Sequence, residues 1–231
     1  MRLVKTALLA ALLLQPLTAA AETAPPRITV TGEGRVETRP DMATVNLGVT
    51  TEAPTAAEAM AANSDELARV LERLRAAGIA ERDLQTSSLS LNPNWHHAAG
   101  AEQPRITGYI ASNQLMVRVR DLTALGGVLD AAVKDGANTL NGVTFGLTDP
   151  EPMLAEARRK AVADARARAE LLAEAAGVAL GPIDSITEAG AMNGPQPMYR
   201  GAAVAMESSM PVAEGELSIA ANVTVVWQIS Q

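Results

Sequence analysis

The chain has 231 residues, with 19 Lys and Arg against 26 Asp and Glu, a formal net charge of −7 and no cysteine. The missing thiols exclude a disulfide-stapled scaffold and cysteine catalysis, and the acidic balance argues against nucleic acid or anionic lipid as partners. Aromatic residues make up only 2% of the chain, so the expected core is aliphatic, built from Val, Leu, Ile and many Ala.

The first residues carry a processing pattern. Arg2 and Lys5 precede an apolar run from Ala7 to Leu14, Gln15-Pro16 breaks it, and Ala19-Ala20-Ala21 offers a small-residue cleavage site. That order is the order of a secretory signal peptide. A bilayer span needs roughly 20 apolar residues, so this run is too short for a permanent anchor, and no later segment is apolar enough to cross. Cleavage after Ala21 is expected, with 1–21 the signal peptide and 22–231 one exported body; a retained anchor is the alternative. The expected compartment is the periplasm, where a cysteine-free exported protein is ordinary.

Next comes "ITVTGEGRVETRPDM", Ile28 to Met42. A phosphate-binding glycine loop works by opening a helix whose amides face the anion. Here Gly34 leads into the alternating Arg35-Val36-Glu37-Thr38 and then Pro40, with no Gly-Lys-Ser/Thr to complete a P-loop. Gly32 and Gly34 are therefore read as positions within or beside a strand where another backbone comes close, or at a bulge, and Pro40-Asp41 as the turn of a hairpin into the next strand. That strand alternates, with Ala43, Val45, Leu47 and Val49 on one face.

Thr55-Ala-Ala-Glu58 has the spacing of a capping box and opens a first helix with Met60, Leu67, Val70, Leu71 and Leu74 as its apolar stripe. Gly78 ends it as a left-handed cap. Asn92 to Gln103 reads as a polar loop between strands, the second of which has Leu115, Val117 and Val119 on one face. A second helix follows Asp121, with Leu125, Val128, Leu129, Ala132 and Val133 inward, and ends at Gly136. Asp149-Pro150 starts a third, which runs to Gly177. Its inward face is mostly alanine (Ala157, Ala161, Ala165, Ala169) with Leu154 and Leu172 near the ends. Gly190 to Gly215 reads as a mobile loop with a short strand near Ala202 to Met206. The last strand is the longest, with Leu217, Ile219, Ala221, Val223, Val225, Trp227 and Ile229 in step. "RAAGIAERDL", "VKDGANTLNGV" and "AEAAGVALGPI" each join a helix end, a glycine and a new apolar run. A strand–helix–strand unit is thus used repeatedly. The expected class is α+β, in the order ββαββαβαββ, with an antiparallel or mixed sheet and the helices packed on one face.

The stretch "ITVTGEGRVETRPDMATVNLGV" resembles the opening of SIMPL-domain proteins. "DLQTSSLSLNP", "GYIASNQLMVRVRDL", "GANTLNGVTF" and "ARRKAVADARARAELLAEAAG" continue the resemblance in order over nearly all of residues 22–231. The resemblance implies an exported α+β protein of a largely bacterial, periplasmic family of unknown molecular function. Some members assemble into large rings or hollow barrels, and others are linked to tolerance of oxidative stress. It carries over no catalytic residues. The chain departs most from the pattern around Trp95 and Met198.

The residues themselves offer little chemistry. Nucleophilic catalysis needs an activated nucleophile beside a base, yet there is no Gly-x-Ser-x-Gly and the two histidines are the neighbours His96 and His97. On the third helix, Lys160–Asp164 and Arg166–Glu170 have the spacing of ion pairs on an exposed face. His96 and His97 in one loop, with Met192, Met198, Met206 and Met210 in the other, form a sulfur and imidazole set suited to copper(I). Methionine also fills apolar interfaces and scavenges oxidant as sulfoxide. The leading expectation is a non-enzymatic, self-associating periplasmic protein that protects the envelope under oxidative stress. It has no catalytic residues, no cofactor and a homo-oligomeric partner. The alternative is a copper-binding protein using His96, His97 and Met198.

Overall fold

Alternating segments form strands and segments of 3.6-residue periodicity form helices in the computed structural model, which describes residues 25–96, 104–188, 196–198 and 212–230. The order is β1 (Arg27–Thr38), β2 (Met42–Ala53), α1 (Ala56–Ala76), β3 (Leu84–His96), β4 (Arg105–Val119), α2 (Leu125–Lys134), β5 (Thr139–Gly146), α3 (Glu151–Ala176), β6 (Ala179–Glu188), β7 (Gln196–Met198) and β8 (Glu216–Ser230). The expected order holds, with the short β7 added. The strand expected near Ala202 and most of the 190–215 loop lie outside the described residues.

The α+β class stands, but the single sheet divides into two antiparallel sheets, each with its own helices. One has the order β3-β4-β2-β5, and α1 lies across β2 and β4. Its core joins Val45, Leu47, Leu115 and Val117 to Val70 and Leu74 of α1 and to Leu125 and Leu129 of α2. The other has the order β1-β8-β6, with β7 beside β8, and α3 lies on β1 and β8. The expected hairpin at Pro40-Asp41 does not form. β1 pairs along its whole length with β8, while β2 pairs with β4 and β5. Residues 39–41 instead carry the chain from one sheet to the other. The return passage is tied to them: Asp41 N–H donates to the Gly146 carbonyl (3.1 Å), and Asp41 Oδ1 accepts from Thr148 N–H (2.6 Å).

Close backbone approach accounts for the glycines. A Cβ on Gly32 would lie 2.1 Å from the Ala161 carbonyl oxygen, and one on Gly34 would lie 1.9 Å from that of Ala157. Facing them, Ala157, Ala161, Ala165, Ala169 and Ala173 repeat every fourth residue and are all buried. Glycine on the strand and alanine on the helix let the two backbones touch, and Val223, Val225 and Trp227 of β8 complete this second core. Leu172, expected inward, is half exposed, and Ala173 occupies the inward position instead.

Local signals behave as their chemistry dictates. Thr55 and Glu58 make both bonds of the capping box, and Gly78 follows the end of α1 at φ 91°. Asp149 Oδ1 accepts from Glu151 N–H at the start of α3 (3.1 Å). Asn63 is the unexpected core residue of α1. It is buried on the apolar stripe, and its amide donates to the carbonyls of Val49 (2.9 Å) and Ala111 (3.1 Å), fastening α1 to β2 and β4.

Candidate functional site

The two sheets end in edges of different character. On β1, the backbone groups facing away from β8 belong to alternate residues, and α3 side chains meet them. Arg168 donates to the Thr31 carbonyl (3.1 Å), Asp164 accepts from Glu33 N–H (2.9 Å), and Lys160 donates to the Arg35 carbonyl (3.2 Å). Spaced four residues apart, Lys160, Asp164 and Arg168 form one flank of α3. Of the two ion pairs expected on this helix, Arg166–Glu170 forms at 2.8 Å, whereas Asp164 pairs with Arg168 and Lys160 serves the strand. A free strand edge is a template for further pairing, and charged side chains placed over it block that. The β1 edge is guarded.

β3 is not. It bonds only to β4 among the described residues, and from Leu84 to Trp95 it carries no charged side chain. Leu89 (55% exposed) and Leu91 (40%) stand opposite Asn113 and Ala111, which are buried under α1. Directly paired residues point to the same face, so both leucines project on the helix side of the sheet, beyond the cover that α1 provides. Further out, β2 pairs with β4 only as far as Tyr109, so Arg105–Gly108 meet β3 alone. This two-stranded ribbon, with Trp95 half exposed and Ile106 largely so, replaces part of the polar loop expected over 92–103. Two-stranded ribbons are marginal in water without a partner surface.

The opposite edge of the same sheet is β5, which among the described residues bonds only to β2 and also carries no charge. Beneath it, between α2 and β2, lies an apolar cavity of about 160 Å³ with Leu47, Leu129 and Ala137 in its wall. Val133 and Leu140 also line it and are about half exposed. Val133 was expected inward. Helix α2 is ten residues long, and the sheet beneath it stops at β5, so the last turn has nothing to bury this side chain against.

At the far end of the sheet, Asp83 is buried and takes two hydrogen bonds from the Arg120 guanidinium (2.9 and 2.8 Å). Arg120 holds its carboxyl below the usual carboxylate range despite the opposing cost of burial, with Arg82 and Arg118 adding to the effect. This pair pins the start of β3 to the end of β4.

Most of the expected sulfur and imidazole set lies outside the described residues. His96 ends β3 and is exposed, His97, Met192, Met206 and Met210 lie outside the described residues, and Met198 falls in β7, beside Glu216 of β8. Among the described residues no group of three His, Asp or Glu could hold a metal ion. No described helix is long and apolar enough to cross a membrane. The edge strands, unlike any catalytic group, carry no sequence motif. Their signal was the absence of charge from "LQTSSLSLNPNW" and "TLNGVTFG".

Comparison with known proteins gives the same outline. Residues 28–227 match the family described as SIMPL, a protein of unknown function (DUF541). The 26 kDa periplasmic immunogenic protein of Brucella melitensis is 41% identical over 215 residues, covering 90% of this chain and 86% of that protein. The uncharacterized protein YggE of Edwardsiella ictaluri is 31% identical over 161 residues, covering 70% of this chain and 67% of the relative. YggE of Escherichia coli K12 is 30% identical over 175 residues, covering 76% and 70%. With the match running from β1 into β8, the chain belongs to the SIMPL family.

Proposed function

We propose that this is an exported periplasmic protein that works by self-association rather than by catalysis, and that its assembly protects the cell envelope under oxidative stress. The observation that carries the reading is β3: a thirteen-residue edge strand with no Asp, Glu, Lys or Arg, and with Leu89, Leu91 and Trp95 open to solvent. Soluble proteins blunt such edges unless they are used, and here the same molecule guards its β1 edge with three charged side chains. The apolar run behind Arg2 and Lys5 and the periplasmic Brucella relative support export. The resemblance to family members linked to oxidative-stress tolerance supports the protective role.

Light scattering on the processed protein tests the assembly: a mass of several chains at micromolar concentration is expected, and a strict monomer refutes it. N-terminal sequencing of the periplasmic fraction should begin at Glu22. A deletion strain should lose viability under peroxide and regain it with the wild-type chain but not with an assembly-defective one. The copper reading would require His96 to find thioether partners, and the methionines it names lie outside the described residues or in β7.

A further inference from the structure

We infer that β3 of one copy pairs edge to edge with β5 of the next, extending the sheet β3-β4-β2-β5 from subunit to subunit. The inference rests on the self-association reading and names its surface. Every neighbouring pair in this sheet is antiparallel, so β3 and β5, its two ends, run in opposite directions. A second copy placed beside the first in the same orientation therefore sets its β3 antiparallel to β5, with the helix sides of both sheets facing the same way.

Both edges suit that contact. Neither places a charge in the other's path. β3 is regular over Ser88–Asn92, between the bulge at Thr86/Ser88 and Pro93, which cannot donate to a further strand. That stretch is of ordinary strand length, and β5 spans eight residues with one register shift of its own, at Asn141 beside Leu140.

The side chains agree with the backbone. Leu89 and Leu91 project on the helix side with no helix above them, while Leu140, opposite buried Leu47, projects on the helix side of β5. Next to Leu140, Val133 of α2 stands half exposed beside the cavity of about 160 Å³. A cavity of about 150 Å³ accepts a molecule as large as benzene, so there is room for one leucine side chain. Continuing the sheet slides the leucines of one copy under α2 of its neighbour, which covers exposed apolar groups on both. Pairing β3 with a second β3 would leave Val133, Leu140 and the cavity open. The guarded β1 edge is excluded from either arrangement.

Because the chain has no cysteine, single thiols report the contact without background. Leu91→Cys and Leu140→Cys are prepared as separate full-length proteins, then mixed and treated with a short bis-maleimide, with Leu89→Cys as the neighbouring alternative. The mixture should give about tenfold more cross-linked dimer than either variant alone, since a head-to-tail contact brings only unlike positions together. Val133→Glu, at an exposed position that leaves the subunit core intact, should reduce the assembly to the mass of one chain. If the wild type assembles but Leu140→Cys gives no mixed dimer with either leucine variant, or Leu91→Cys cross-links to itself as readily, the β3–β5 contact is overturned and self-association stands. A wild type that stays monomeric overturns both.

Discussion

Gly32 and Gly34 are where a single methyl group decides the outcome. In a strand interior, glycine costs roughly 0.5–1 kcal/mol relative to a residue with a side chain, so by local preference Gly34→Val should stabilise. The Cβ would instead fall 1.9 Å from the Ala157 carbonyl oxygen, and that atom belongs to a helix backbone that cannot yield locally. Overpacking of this kind costs about 3 kcal/mol, and for a chain of this size that lowers Tm by roughly 6–12 °C. A thermal melt checks it, and the same exchange at exposed Gly127, where a Cβ meets nothing within 4 Å, is the control. Asn63→Leu keeps the number and branching of side-chain heavy atoms but removes two buried hydrogen bonds, at about 1 kcal/mol each, so denaturant unfolding should show a loss of about 2 kcal/mol. Asp83 adds a pH dependence. Its carboxyl is held below its ordinary value by Arg120, so its stabilising contribution is full above the unfolded pKa of about 3.9. It is lost as pH falls through the lower, folded value. Asp83→Asn should therefore lower stability at neutral pH and flatten its decline below about pH 4, as followed by acid titration of the unfolding midpoint.

At the level of elements, the contrast between guarded and open edges predicts a gain of association. Replacing Lys160, Asp164 and Arg168 together by alanine leaves the buried stripe of α3 intact but strips the cover from Thr31, Glu33 and Arg35. The triple variant should form larger, less uniform particles than the wild type in light scattering. Much of this level was legible in the chain. The alternation of Ala43, Val45, Leu47 and Val49, the Thr55–Glu58 box and the alanines of α3 report short-range physics, and each formed as read. Of the two readings open for the Gly-x-Gly stretch, the close backbone approach holds and the bulge does not. What failed was partner identity. β1 and β2 are neighbours in sequence, yet β1 pairs with β8, and no local pattern states which distant strand completes an edge. Val133 failed for a related reason, because the apolar stripe of α2 is wider than the sheet beneath it. The candidate site itself was nearly invisible. Exposure of Leu89 and Leu91 follows from where α1 stops covering the sheet, which is a property of packing rather than of the strand's own sequence.

For the whole molecule, two separate apolar cores are joined by two short passages that meet at Asp41. The β3-β4-β2-β5 half draws its strands and helices from residues 42–146, a continuous stretch. The other half joins the two ends of the chain: β1 opens it, α3 and β6 come late, and β8 closes it, with Thr31 bonded to Thr224 across 193 residues. If the chain is exported from its N-terminus, as proposed, β1 stays unpaired until β8 follows, and the first half can finish before the second. Loss of the last fifteen structured residues, Glu216–Ser230, should leave β1 and the alanine face of α3 bare, and a cell should recognise that species as unfinished and degrade it. The protein becomes whole only when its final strand arrives.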